Sequence, residues 1–262
     1  WQQLPPIPTP VAPVVPVVFS NMEALNGALV IVGTTYQGSQ VVYHYDPSAT
    51  AWKSWTNHTR DGGTLHLGGI HTAVVDGKLY LAGKAPGGTP GQEGPSELWS
   101  LDPEVAEPRW NQIGFSTNWA GGGDEKYRQI MGGHSQRRCR RTKTIIDIFP
   151  YGKRLHVLFG PDGYDSTPPL ECSGKFVMDC FYPEERTWST NTSQPEDYTF
   201  SYSMLNQKGG GVAAGGIFYF ISSAPFEVRC YNPTTGKWWK ETDWHNPDDA
   251  AYASTRTQLV GF

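Results

Sequence analysis

Short apolar strands separated by turn residues recur along the chain, and this pattern predicts an all-β protein. Segments such as KLYLAG and VVYHYDP alternate apolar and polar positions with a period of two, which is typical of a half-buried β-strand. Glycine-containing pairs such as Asn26-Gly27 and Asp76-Gly77 precede the longer apolar segments and favour two-residue hairpin turns. The pattern therefore predicts antiparallel hairpins.

Four segments share one order of features: a tight glycine turn, an apolar strand, a loop, a second strand that closes on a proline turn, and then a tryptophan. The four tryptophans are Trp52, Trp110, Trp188 and Trp238. Each segment predicts a four-stranded antiparallel sheet, and a single sheet cannot bury both of its faces. Radial stacking of several such sheets into a β-propeller solves this problem, and we expect that fold.

The order of features resembles the kelch repeat. The best match is the stretch GGIHTAVVDGKLYLAG followed by LWSLDP and Trp110, and the resemblance covers roughly residues 19–240. It implies a propeller of kelch-like blades. Kelch repeats usually end their second strand with two glycines. In this chain each of the first three repeats has only one glycine at this place, and the fourth repeat has Ser222-Ser223. The three glycines are Gly33, Gly83 and Gly160.

The predicted domain organisation is a Pro-rich lead-in over residues 1–18 followed by the propeller over residues 19–262. The lead-in contains PPIPTPVAPVVP, which favours an extended or polyproline II conformation. Residues 1–4 resemble the fourth strand of a blade, and residues 255–262 resemble the first strand of a blade. They either belong to a fifth blade or pair to close a ring of four or five blades.

Composition excludes several classes of protein. Aromatic residues make up 13% of the 262 residues, which argues against disorder, and no run of 18 apolar residues encodes a membrane-spanning helix. The net charge of −4 is too small to indicate a partner by itself. Two N-x-S/T sequons, at Asn57 and Asn191, and four cysteines favour an extracellular or secreted protein, with a cytoplasmic one as the alternative.

The cysteines allow several arrangements. None forms a C-x-x-C pair, so a structural zinc site is not expected. Cys180 and Cys230 occupy the same register in successive repeats, too far apart for a disulfide bond. A Cys139–Cys172 bond, a Cys172–Cys180 bond and free buried thiols all remain open.

Loop lengths favour one face of the predicted propeller. The links between first and second strands and between third and fourth strands are short, whereas most long connections join second to third strands or one blade to the next. Long loops held on one side of a rigid scaffold are typical of a binding surface. We therefore expect ligands to bind on the face that carries these long connections.

The candidate binding residues lie in two long connections between blades. Within residues 126–143, seven residues are basic and none is acidic. Such a cluster favours an acidic partner, either a sulfated or sialylated glycan or an acidic protein segment, and the alternative is a solvated loop without a ligand. No nucleic-acid reader motif accompanies it. Two loop tryptophans are suited to stacking on sugars or anchoring a protein. The predicted ligand-binding residues are Trp119, Arg128, Arg137, Arg138, Arg140, Arg141 and Trp244.

The function that these features favour is a non-enzymatic recognition module that binds a macromolecule, a protein receptor or a glycan. The alternatives are a lectin-like propeller and, less favoured by the sequence, an enzyme of the sialidase or galactose oxidase type. No Asp box is present, and the seven histidines show no metal-ligand spacing. No catalytic residue, metal site or cofactor is therefore predicted.

Overall fold

The computed structural model describes residues 4–7, 17–36, 38–55, 58–86, 93–105, 107–113, 144–160, 177–189, 211–223 and 226–241. These residues form sixteen β-strands, and no helix occurs among them. The chain divides into two compact units, Trp1–Phe115 and Ser116–Phe262. The prediction of an all-β chain is confirmed.

The first unit contains two four-stranded antiparallel sheets, in each of which the strands follow one another in chain order. Sheet 1 consists of β1 (Val17–Leu25), β2 (Ala28–Thr35), β3 (Gln40–Asp46) and β4 (Ala51–Trp55). Sheet 2 consists of β5 (Gly68–Val75), β6 (Lys78–Pro86), β7 (Glu93–Leu101) and β8 (Asn111–Ile113).

The second unit repeats this arrangement. Sheet 3 consists of β9 (Thr144–Tyr151), β10 (Arg154–Gly160), β11 (Val177–Tyr182) and β12 (Thr187–Trp188). Sheet 4 consists of β13 (Val212–Ala214), β14 (Ile217–Ser223), β15 (Phe226–Asn232) and β16 (Lys237–Glu241). Four-stranded meander sheets of this kind are the blades of β-propellers, and the predicted fold class is confirmed. The proposed strands at the two termini lie outside the described residues.

The turns follow the predicted chemistry. Asn26 and Gly27 have φ angles of 50° and 78°, so both residues of this hairpin turn adopt the left-handed conformation that such a turn requires. In the turn between β3 and β4, the Asp46 carboxylate accepts hydrogen bonds from the backbone N–H groups of Ser48 and Ala49, at 2.9 and 3.3 Å. Asn232 holds the corresponding turn of sheet 4 through the N–H of Thr234.

The core of the first unit lies between its two sheets. Sheet 1 contributes Val30, Val32 and Val42, and sheet 2 contributes Leu79 and Leu81. Each is at most 1% exposed, and the fully buried Trp110 joins the same cluster. Burial of one such aliphatic side chain stabilises the fold by about 1.5–3 kcal/mol. This cluster therefore joins the two sheets into one body.

Gln40 fixes the segment that leads into sheet 2. Its side-chain amide donates to the Leu67 carbonyl oxygen and accepts from the Leu67 N–H, both at 2.7 Å. Gln40 is completely buried, and this pair of hydrogen bonds satisfies its amide in the interior. The segment is thereby held against the start of β3.

The core of the second unit is aromatic. Phe149 stacks on Phe218 with ring centroids 4.8 Å apart and meets Phe220 edge-on at 5.2 Å. Leu158 and Met178 complete the contribution of sheet 3 to this cluster. Aromatic pairs add about 0.5–1.5 kcal/mol to the contribution of their buried area.

The single glycine that ends the second strand has a steric role in sheets 1 and 2. A Cβ atom on Gly83 would lie 2.9 Å from the Gly68 carbonyl oxygen and 3.0 Å from Leu67 Cβ. On Gly33 it would lie 2.7 Å from Val17 Cγ1. The register of the first strand shifts beside both glycines, which brings its backbone close to them.

Gly83→Ala is expected to lower the free energy of unfolding by about 1–3 kcal/mol, because the added methyl group meets backbone that cannot move away. Urea denaturation measures this change. Gly68→Ala is the matched control in the same sheet, since its methyl would lie 4.0 Å from the Lys84 carbonyl oxygen. Equal losses for the two variants would contradict the steric explanation.

Candidate functional site

Every ligand-binding residue predicted from the sequence lies outside the described residues. These residues are Trp119, Arg128, Arg137, Arg138, Arg140, Arg141 and Trp244. Their role stays a prediction. Among the described residues, the first strands of the sheets carry polar side chains between apolar ones.

One register position is polar in three first strands. Asn21, His71 and Asp147 each lie four residues before the last residue of their strand. Each also adjoins a break in the register, where the first strand bulges against the second. Bulges are frequent beside functional sites because they change the direction of a side chain. The polar position therefore recurs at a local irregularity of the sheet.

In the first unit, two first strands are linked through their side chains. The strands β1 and β5 are in contact, and the Thr72 hydroxyl donates a hydrogen bond of 2.6 Å to the Glu23 carboxylate. Both residues are half-buried. Asn21 lies two residues before Glu23 on β1. Its Oδ1 atom is buried and accepts no hydrogen bond from the part of the chain that the structure describes. An acid, a hydroxyl and an amide thus lie on two adjacent strands.

The first strand of sheet 3 also carries an acid, Asp147, and its carboxylate is bound to backbone N–H groups. The Asp147 carboxylate accepts hydrogen bonds from the backbone N–H groups of Gly211 and Ile148, at 2.7 and 2.8 Å. Asp147 is 8% exposed. Since the Gly211 N–H belongs to the residue that precedes β13, this acid connects sheets 3 and 4. Glu23 is the more accessible of the two acids.

A histidine and a cysteine meet in the interior of the second unit. The Cys180 Sγ atom lies 3.8 Å from His156 Nε2, and both residues are buried. Burial lowers the pKa of His156 to about 4, and the positive charge of Arg154 acts in the same direction. Burial raises the pKa of the Cys180 thiol to about 11. Both groups are neutral at pH 7, so they do not form an activated thiolate pair.

The cysteines that the structure describes carry free thiols. Cys180 and Cys230 are buried and carry free thiols, and the free thiol of Cys180 contradicts the Cys172–Cys180 alternative. Cys139 and Cys172 lie outside the described residues, so a bond between them stays a prediction.

The described ranges show no group of three or more His, Cys, Asp or Glu side chains suited to a metal ion. Within those ranges, no helix has the length and apolar character needed to cross a membrane.

Comparison with known proteins gives matches among solved structures alone. No protein-family model and no curated protein matches the sequence. An α-L-arabinanase from Penicillium chrysogenum in complex with arabinobiose is 12% identical, with a TM-score of 0.46 over 84% of this chain. A polysaccharide lyase, an ulvan lyase, is 10% identical, with a TM-score of 0.48 over 87%. A thermostable family-43 glycoside hydrolase is 10% identical, with a TM-score of 0.48 over 92%.

The chain spans 65% of the arabinanase, 56% of the lyase and 76% of the family-43 hydrolase. The expectation of a non-enzymatic recognition module is corrected by these matches, since all three proteins are carbohydrate-active enzymes. Known catalytic motifs are not found in the sequence, but a catalytic group needs no local motif and can be assembled from distant residues. At 10–12% identity the matches do not transfer a reaction or a catalytic residue to this chain.

The buried imidazole predicts acid sensitivity of the second unit. The unfolded chain protonates His156 near pH 6.5, whereas the folded chain does so near pH 4. The stabilisation that depends on neutral His156 is therefore fully present above pH 6.5. The free energy of unfolding falls by about 3 kcal/mol as the pH drops towards 4. Urea denaturation at about pH 7 and about pH 4.5 measures this loss. His156→Leu should flatten the dependence, and an equally steep fall in this variant would show that other groups cause it.

Proposed function

We propose that the chain is a carbohydrate-active β-propeller protein that binds a polysaccharide along the first strands of sheets 1 and 2 and cleaves it. The observation that supports this proposal is the link between the Glu23 carboxylate and the Thr72 hydroxyl across two adjacent first strands. The strand that carries Glu23, β1, also carries Asn21, whose amide oxygen is buried without a hydrogen bond from the described residues.

Glu23 is the proposed proton-transfer residue. Cleavage of a sugar polymer, by hydrolysis or by elimination, requires a group that takes up or delivers a proton at the bond that breaks. The Glu23 carboxylate is half-buried, and the hydrogen bond from Thr72 fixes the position of its Oε1 atom. Asn21 is proposed to bind a hydroxyl group of the sugar through its amide, because a buried amide oxygen without a partner is costly.

The substrate class is taken from the matched enzymes as a proposal. An arabinanase and an ulvan lyase both act on polysaccharides, as their names state. The proposed catalytic role rests on the residues of the first strands. A polysaccharide substrate also agrees with the proposed extracellular or secreted location. A lectin-like protein that binds without cleavage is the second candidate.

The kelch label for the repeats is likewise proposed. Its support is the glycine that ends the second strand of sheets 1 and 2, where the first strand approaches so closely that a side chain is excluded. Tight turns and the repeated tryptophans are shared by the four segments.

Glu23→Gln tests the catalytic proposal, because an amide keeps the size of the side chain and loses proton transfer. Cleavage of arabinan or ulvan should fall by about a hundredfold or more, with binding unchanged. New reducing ends report either reaction, and absorbance of an unsaturated sugar reports elimination alone. Glu107→Gln is the matched control, since Glu107 is an exposed surface acid paired with Arg109.

Each outcome of that experiment separates the candidates. Wild-type protein that binds a polymer and cleaves none would replace the enzyme proposal with the lectin-like one. Cleavage that survives in Glu23→Gln would remove Glu23 from the mechanism. Wild-type protein that binds neither polymer would overturn the proposed function.

The basic segment at residues 126–143 is proposed to select an acidic polysaccharide. Replacing Arg137, Arg138 and Arg140 together with Gln should weaken binding of sulfated, uronate-containing ulvan about tenfold and leave binding of neutral arabinan unchanged. Affinity electrophoresis in gels that contain each polymer measures both. An equal effect on the two polymers would contradict a role of charge in selection.

A further inference from the structure

The turn between β2 and β3 holds an aromatic side chain almost completely in solvent. Tyr36 is 89% exposed, the highest value among the exposed large hydrophobic residues of the described chain. A tyrosine ring in this position contributes little to the core, and tyrosine is not among the residues that turns prefer. The fold of the turn therefore does not account for the choice of this residue.

The turn that carries Tyr36 is fixed by hydrogen bonds. The Thr35 N–H donates to the Ser39 carbonyl oxygen and the Gly38 N–H donates to the Thr35 carbonyl oxygen, both at 2.8 Å. The Ser39 N–H also donates to the Thr35 hydroxyl at 3.0 Å. These bonds hold the backbone that carries the ring, which reduces the backbone freedom lost on binding.

Polar groups suited to sugar hydroxyls lie at the end of this turn and on the segment bridged to it. The Ser39 hydroxyl lies 3.4 Å from Nδ1 of His66, and the backbones of these two residues form an antiparallel bridge. Each group donates and accepts hydrogen bonds. Tyr36 and Ser39 belong to one turn, and His66 lies on the segment that is bridged to it. An exposed aromatic ring and hydrogen-bonding groups match the two surfaces of a sugar ring, whose C–H face is apolar and whose edge is polar.

The position of the turn relates it to the proposed cleavage site. Thr35 pairs with Val17 at the start of β1, and Asn21 lies four residues further along the same strand. At the rise of an extended strand this separation is about 13 Å. A short run of sugar units spans such a distance.

We propose that Tyr36, with Ser39 and His66, forms a distal subsite that binds the polysaccharide by stacking and so favours long chains over short ones. This inference rests on the proposed function, because it concerns the same polymer. The subsite takes no part in bond cleavage. It acts through affinity for substrates that extend beyond the first strands.

Tyr36→Ala tests the subsite. Binding of the polymer that the wild type retains, arabinan or ulvan, should weaken about five- to tenfold, as expected for loss of one stacking contact. Tyr36→Trp should keep or improve binding. The rate of cleavage at saturating polymer should not change, since the loss falls on KM. Val105→Ala is the matched control, because Val105 is an exposed apolar residue on a turn of sheet 2.

The outcomes distinguish the subsite from the function. Equal binding by wild type and Tyr36→Ala, with cleavage intact, would overturn the subsite and leave the proposed function standing. A wild-type chain that binds neither polymer would overturn both. Weakened binding in Tyr36→Ala alongside an equal loss in Val105→Ala would show a general surface effect and also remove the subsite.

Discussion

The packing of one sheet face against the next sheet is the constraint on which each unit depends. A four-stranded sheet has two faces and buries one of them here against its neighbour in the chain. In the first unit, aliphatic residues such as Val32 and Leu81 fill this layer, and in the second unit Phe149 and Phe218 do so. The hydrophobic effect therefore fixes how the sheets pair, and the pairing brings their first strands together.

The polar groups of interest arise from that pairing. Because the faces of two sheets meet, the alternate residues of a first strand point towards the neighbouring sheet. Most of these residues are apolar, as the core requires. Glu23 and Asp147 interrupt the layer, and each is satisfied by a hydrogen bond that crosses to the next sheet, to Thr72 in one unit and to Gly211 in the other. Glu23 is half-buried, whereas Asp147 is buried, so the acid of the first unit is the more accessible one.

The correction of the functional expectation has a physical basis. Sequence motifs for catalysis report arrangements that are local in the chain, such as a nucleophile on a tight turn or metal ligands at a fixed spacing. Glu23 and Thr72 are separated by 49 residues and belong to different sheets. No spacing rule connects them, and in the sequence each is a polar residue within a largely apolar strand. A search for motifs does not detect a contact of this kind, which forms across two sheets.

The sequence by itself determined the strands, the turns and the sheet order, because these depend on neighbours in the chain. Alternating apolar positions set the strands, the left-handed turn at Asn26-Gly27 set a hairpin, and Asp46 set the next turn through its own backbone. Only the tertiary structure decided which polar side chains meet, because that depends on the face each residue presents and on the bulges that shift the register. The approach of Glu23 to Thr72, and the burial of His156 against Cys180, follow from packing between strands that are distant in the sequence.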